Sequence, residues 1–165
     1  VRFDSTPVIA IESPGWYLRR PGFFWGGIGV AACWWGAAVG IARGVYAAAG
    51  SKEPDQIALM HLGAIDAALT HARAVLLESA LRIDAGADTD ELPVLMMRAR
   101  AIVADAVETT ISAAAHALGP APLALDEEHA RRVADLQIYV RQHHAERDLA
   151  ALGRELLRVG ADAPW

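Results

Sequence analysis

The densest run of ionisable side chains in the sequence is Arg141-Gln142-His143-His144-Ala145-Glu146-Arg147-Asp148. An imidazole changes charge near neutral pH and can act as acid, base or metal ligand, and a carboxylate four residues away on a helix can orient it. On that spacing His143 faces the direction of Arg147, and His144 that of Asp148. The same pattern suits a solvated helix start laced by intrahelical ion pairs, so periodicity by itself identifies no substrate. Four more histidines, His61, His71, His116 and His129, raise the question of a metal. A carboxylate-bridged centre in a helical bundle needs paired carboxylate-x-x-His motifs from two helices. Only Asp126 to His129 has that form, and Asp126 followed by Glu127 and Glu128 reads better as a helix cap with acidic residues in the first turn. No metal is expected. The glycines around Gly26 and Gly29 lack the lysine of a phosphate loop and carry no nucleotide signature.

The elements that must hold these side chains read as helices. Residues 22–42 run 21 positions without a charge between Arg20 and Arg43, which meets the bare length of a membrane span. Five glycines thin that run (Gly26, Gly27, Gly29, Gly36 and Gly40), and no second span follows, so the expectation is a core helix in which small residues allow close backbone contact beside Trp34 and Trp35. Gly50 suits the left-handed position past that helix, and Ser51, Lys52, Glu53 and Pro54 make a short connection. A second long helix carries an inward stripe of Ile57, Met60, Ala64, Ala68, Ala72, Leu76, Ala80 and Ile83, ending near Gly86. A third is signalled by Thr89, Asp90, Glu91 and Pro93, continues through Leu95, Ala99, Ile102, Ala106 and Ala114, and stops at Gly119-Pro120. Val133, Leu136 and Val140 form the inner face of a fourth helix capped by Asp126. Leu149, Leu152 and Leu156 mark a fifth, with either a bend or one continuous helix at His143 and His144. The reading is an all-α, antiparallel four- to five-helix bundle, with residues 1–16 as a short strand-like N-terminal arm and a polar tail.

Composition bounds the partners. The chain has 165 residues, 54% hydrophobic and 21% charged, enough for one ordinary domain with its own core. A single cysteine, Cys33, excludes a disulfide scaffold and favours a reducing, cytoplasmic setting. The net charge of −5 gives no electrostatic case for nucleic acid. The charge is unevenly placed: residues 1–46 hold four Arg against two acidic residues, and nine of the 11 aromatic residues, so something large is expected to cover those rings. The sequence does not open on Met and has no charged lead or apolar core of a secretory signal, so a piece of a longer protein is expected.

At this level the residues resemble the carboxy-terminal helical domain of the acyl-CoA dehydrogenase family of flavoenzymes. Trp16-Tyr17-Leu18-Arg19-Arg20-Pro21-Gly22-Phe23 looks like the exit from the family's central β-domain, and residues 29–42 resemble the helix that follows. Leu62-Gly63-Ala64-Ile65-Asp66-Ala67, with Ala72 and Arg73, looks like the next helix, and Arg132-Val133-Ala134-Asp135-Leu136 through His143, Asp148, Leu149, Leu152 and Gly153 is similar to the last helical pair. The resemblance implies residues 1–24 as the remnant of a preceding β-domain and connector, and residues 25–160 as the helical bundle. Missing upstream helical and β-domains, an FAD held between domains, an acyl-CoA-type substrate, and a homodimer or homotetramer are also implied, with no membrane and no nucleic acid. One common base position in the family follows the penultimate helix. It holds glutamate in many members and His143 here, with His144 and Ala145 where glycine and threonine are usual. The resemblance therefore implies His143 as general base or, as in the related reduced-flavin monooxygenases, stabiliser of a flavin-oxygen adduct, with Asp148 orienting His144. His116, Gly119 and Arg147 fall where cofactor contacts are usual. The arginine and Phe-Gly pair expected around residues 50–56 are absent. That erosion leaves a second account open, a non-catalytic oligomerisation module with a degenerate flavin site; the charge-free run over residues 22–42 leaves a third, a membrane-anchored bundle. As an isolated piece the chain is expected to be inactive.

Overall fold

A computed structural model describes residues 1–9, 12–51 and 53–160. Among these every regular element is helical: α1 (Trp16–Arg19), α2 (Pro21–Ser51), α3 (Gln56–Asp84), α4 (Leu92–Leu118), α5 (Ala121–Leu125), α6 (Glu127–Tyr139), a 3-10 turn over Val140–Gln142, and α7 (Glu146–Val159).

The ends of these helices follow local chemistry. Pro21 starts α2, where its missing N–H has no intrahelical partner to lose. Asp55 caps α3 by accepting the Ala58 N–H at 2.8 Å, and Gly86 and Gly119 take positive φ values of 79° and 67° just past α3 and α4, a conformation glycine adopts without steric penalty. Gly50 does not do this. It sits inside the last turn of α2, which runs on to Ser51, whose hydroxyl donates to the Ala48 carbonyl. The boundary drawn between residues 24 and 25 falls inside α2, since the helix already begins at Pro21.

Three long helices form the core. Trp35 Nε1 donates to the Leu69 carbonyl at 3.0 Å, while Val45 and Ala48, late in α2, line one pocket with Ile57 and His61, early in α3. The two helices therefore run antiparallel. Arg82 pairs with Glu91 across the α3–α4 turn, and His61 meets His116 at the far end, so α4 reverses again. In α2 the buried residues Phe24, Ile28, Ala31, Trp34, Ala38, Ile41 and Val45 recur every three or four positions, the stripe a core helix needs. By length and composition α2 could also cross a membrane, with 33% of its most apolar window buried.

The most enclosed helix is α4, buried on several faces because it meets α2, α3 and α7. Its expected inner residues Leu95, Ala99, Ala106 and Ala114 are buried. Two hydroxyls enter the core with their bonds made: Thr110 Oγ1 donates to the Ala106 carbonyl and Ser79 Oγ to that of Val75, each at 2.7 Å. Leu136 and Val140 are buried, and Val133 packs against the core, as the sequence indicated.

Two expectations are not met in full. On α3, Ala72 is buried and Ala68, Leu76 and Ile83 pack against the core as expected, but Ile65, Val75 and Ser79 are buried where Ile57, Met60, Ala64 and Ala80 are exposed. The strand-like arm is not found either. Residues 1–9 are exposed and contain no strand, and Trp16 opens a helix; no described segment offers a sheet edge, and a lone strand has no ladder to complete. Ala10, Ile11, Lys52 and the tail 161–165 lie outside the described residues.

Candidate functional site

The chain breaks between α6 and α7. After the 3-10 turn, His143 is extended (φ −86°, ψ 120°), and Ala145 takes φ 46° with ψ −116°. A side chain at positive φ is strained, and such residues gather at functional sites. Because the segment is not one helix, the spacing of four does not govern it as expected. His144 does meet Asp148, Nδ1 to Oδ1 at 3.4 Å, but His143 turns to the same carboxylate, Nε2 to Oδ2 at 3.9 Å. Arg147 is not among the charges acting on His143. Asp148 also accepts the His144 backbone N–H at 3.0 Å, so the first turn of α7 anchors the loop that precedes it.

On the other side the loop is held by α4. Arg100, half-buried, donates through Nη2 to the Gln142 carbonyl at 2.7 Å and through Nη1 to the Gly27 carbonyl of α2 at 3.2 Å. Its guanidinium carbon lies 4.6 Å from the centre of the Trp34 ring, within the range of a cation–π contact. At Gly27 the helices approach closely: an added Cβ would stand 2.5 Å from the Met96 sulfur, so the methionine side chain would have to move. Burial draws the Arg100 guanidinium below its ordinary value, opposed by Asp148 and Tyr139. One arginine thus ties α2, α4 and the residue before His143 together.

The His143 side chain is only 10% exposed, and its Nε2 is shut off from solvent without a hydrogen-bond partner. Desolvation pushes its pKa below the usual 6.5; Asp148 opposes this, while Arg100, His144 and Arg141 add to it. A neutral imidazole at pH 7 follows, able to accept a proton. It lines an open groove of about 830 Å³ between α3, α4 and the α6–α7 junction, with Ala68, Val75, Ile102 and Leu149 among its apolar residues and Glu78, Arg98, Asp105 and Glu108 among its charged ones. Arg141 pairs with Glu108 at the same groove. A groove of this size with a few convergent polar groups suits a small organic ligand.

The structure brings His143, His144 and Asp148 together, with Arg147 beside them in the first turn of α7. It sets His116 and Gly119 apart. His116 lies in the last turn of α4, roughly 12 Å by helical rise beyond Glu108 at the edge of the groove. There it packs edge-on against His61, ring centres 5.4 Å apart, in a second pocket of about 390 Å³. Among the described residues, no three or more His, Cys, Asp or Glu side chains are grouped to hold a metal ion.

Arg100, Ala145 and the α3 wall with His71 were not read from the sequence. The signal for Arg100 was present: a cation sits between the core residues Ala99 and Val103 of an otherwise apolar helix face, where it must find partners or reach solvent. Compared with family models, curated proteins and solved structures, the chain matches none.

Proposed function

We propose that this chain is the helical, flavin-facing part of an acyl-CoA dehydrogenase-like oxidoreductase, with His143 as the proton acceptor. One observation carries the reading: directly after the penultimate helix stands a neutral, solvent-shielded imidazole at the wall of a largely apolar groove. An imidazole that removes a proton next to a thioester carbonyl has to be within reach, unprotonated and shielded from water. The bound flavin would supply hydride acceptance.

The fit to FAD is partial. The groove and His143 suit one end of a flat, largely apolar ring system, whereas His116 and Gly119 belong to the separate pocket at the end of α4. The remaining enclosure would come from upstream helical and β-domains and from a second subunit. The exposed aromatics Trp16, Tyr17 and Trp25 give such a lobe apolar surface to cover. On this reading the protein is cytoplasmic, assembles as a homodimer or homotetramer, and acts on an acyl-CoA-type thioester. The chain by itself turns over nothing.

The test is the purified full-length gene product. It is expected to carry flavin absorbance and to reduce an electron acceptor with acyl-CoA, and His143→Gln is expected to lose turnover by about a hundredfold or more while keeping its colour. A colourless full-length protein overturns the reading. A colourless oligomer would favour the non-catalytic assembly module, for which the charge-free outer face of α2 around Trp25, Gly29 and Gly36 is the supporting feature.

A further inference from the structure

We infer that Asp148 and His144 form a proton path from His143 to solvent, because one carboxylate is shared by a closed-in imidazole and an open one. The inference rests on the reading of His143 as proton acceptor. Oδ2 of Asp148 lies 3.9 Å from His143 Nε2, and Oδ1 lies 3.4 Å from His144 Nδ1. The three side chains are 10%, 29% and 66% exposed in that order, a graded exit from groove to water. The gap at His143 is about 1 Å beyond hydrogen-bond length, a distance that a small rotation of the ring closes.

Fixed neighbours keep the geometry in place. The Asp148 carboxylate is held by the His144 N–H and by the N-terminal end of α7. The strained turn at Ala145 folds His144 back over the first turn of α7 rather than letting it continue along α6. Arg100 pins the Gln142 carbonyl from the opposite side. Charged groups face this cluster from every packed element: Arg100 of α4, Arg141 of the 3-10 turn, and, around the groove, His71 and Glu78 of α3 with Arg98, Asp105 and Glu108 of α4.

Asp148 orients neutral His143 with its proton on Nε2, which leaves the Nδ1 lone pair to take a proton from a bound ligand. The Nε2–H bond then breaks as an O–H bond forms on Asp148. The carboxyl group turns about its Cβ–Cγ bond, so that its other oxygen takes over the His144 backbone N–H, and the O–H bond breaks as an N–H bond forms at His144 Nδ1. His144 loses its Nε2 proton to water. One proton leaves the ligand, one reaches solvent and no electron moves; His143 and His144 are each left with the proton on Nδ1, and a flip of each ring restores the starting arrangement. The depressed basicity of His143 helps the transfer on to Asp148, since its imidazolium is the stronger acid.

The experiment is nitrogen-15 histidine NMR on this chain, following ring N–H exchange with water at His143 across the imidazole titration range. His144→Ala, at an exposed side chain, is expected to retain the wild-type melt and to slow exchange at His143 by about tenfold or more, with added imidazole buffer restoring it. Asp148→Asn, whose amide oxygen can still accept the His144 N–H, is expected to slow exchange without rescue by imidazole and to move the His143 titration to lower pH. Exchange in His144→Ala at the wild-type rate overturns the proposal, and so does slowing that imidazole fails to restore. The two ideas fail separately. A colourless full-length protein with the rescue intact sinks the flavin reading alone, whereas a coloured, active enzyme without it sinks the path alone.

Discussion

Helices α6 and α7 begin in opposite ways. Helix α6 starts on Asp126, whose carboxylate accepts the His129 N–H at 3.0 Å, with Glu127 and Glu128 following where the helix dipole favours negative charge. Helix α7 starts on Ala145, which has no capping oxygen and a positive φ, and a carboxylate from within the helix, Asp148, must reach back to the loop instead. The first start is self-sufficient. The second depends on a side chain that two histidines also address and on Arg100 gripping Gln142 from α4. Local rules are obeyed where the chain only has to turn, and broken where His143 lines the groove, the pattern expected of a functional site.

Removing the distant grip gives the largest contrast. Arg100→Ala abandons two carbonyl acceptors and a ring contact, and is expected to destabilise the fold by about 2–3 kcal/mol. Its local signature is specific: amide hydrogen exchange should rise over residues 142–148 and stay unchanged over 126–130. Equal loss of protection at both helix starts would show that Arg100 supports the whole bundle and not the junction. Next in size, Asp126→Ala should cost about 1 kcal/mol in a denaturant melt by exposing the first-turn N–H groups of α6. Ala145→Gly should act in the other direction, raising stability by up to about 1 kcal/mol through relief of the positive φ, even though glycine adds freedom to the unfolded chain. A loss of stability in Ala145→Gly would mean that no strain is stored beside His143.

The same contrast explains what could be read from the residues. The ends of α4 and the start of α6 were legible because glycine, proline and aspartate act through their immediate neighbours. The buried face of α3 was legible only in part, at Ala68, Ala72, Leu76 and Ile83. Alanine occupies every phase of that helix, so Ala64 and Ala80 look as core-like as Ala72, and only Ile65 and Val75 mark the true stripe. At the candidate site the pairing of His144 with Asp148 was legible from a spacing of four, but the turn of His143 to the same carboxylate was hidden because it depends on the helix being broken. The contact of His61 with His116 and the reach of Arg100 to Gly27 and Gln142 join residues far apart in the chain, and no local pattern encodes them.

The smallest expected effect is a pH dependence that belongs to α7 and not to α6. His143 is harder to protonate in the folded chain than in the unfolded one, where its value is about 6.5. Between those two values the unfolded state binds more protons, so stability rises with pH. The contribution is complete above about 6.5, declines as pH falls towards the lowered folded value, and is lost below it. Urea midpoints measured across that window should slope for the wild type and flatten in His143→Asn, whose side chain does not titrate. Asp148→Asn removes the one charge that favours imidazolium here, so it should extend the slope to lower pH. A slope that persists unchanged in His143→Asn would assign the pH dependence to another group and leave the junction electrostatically silent.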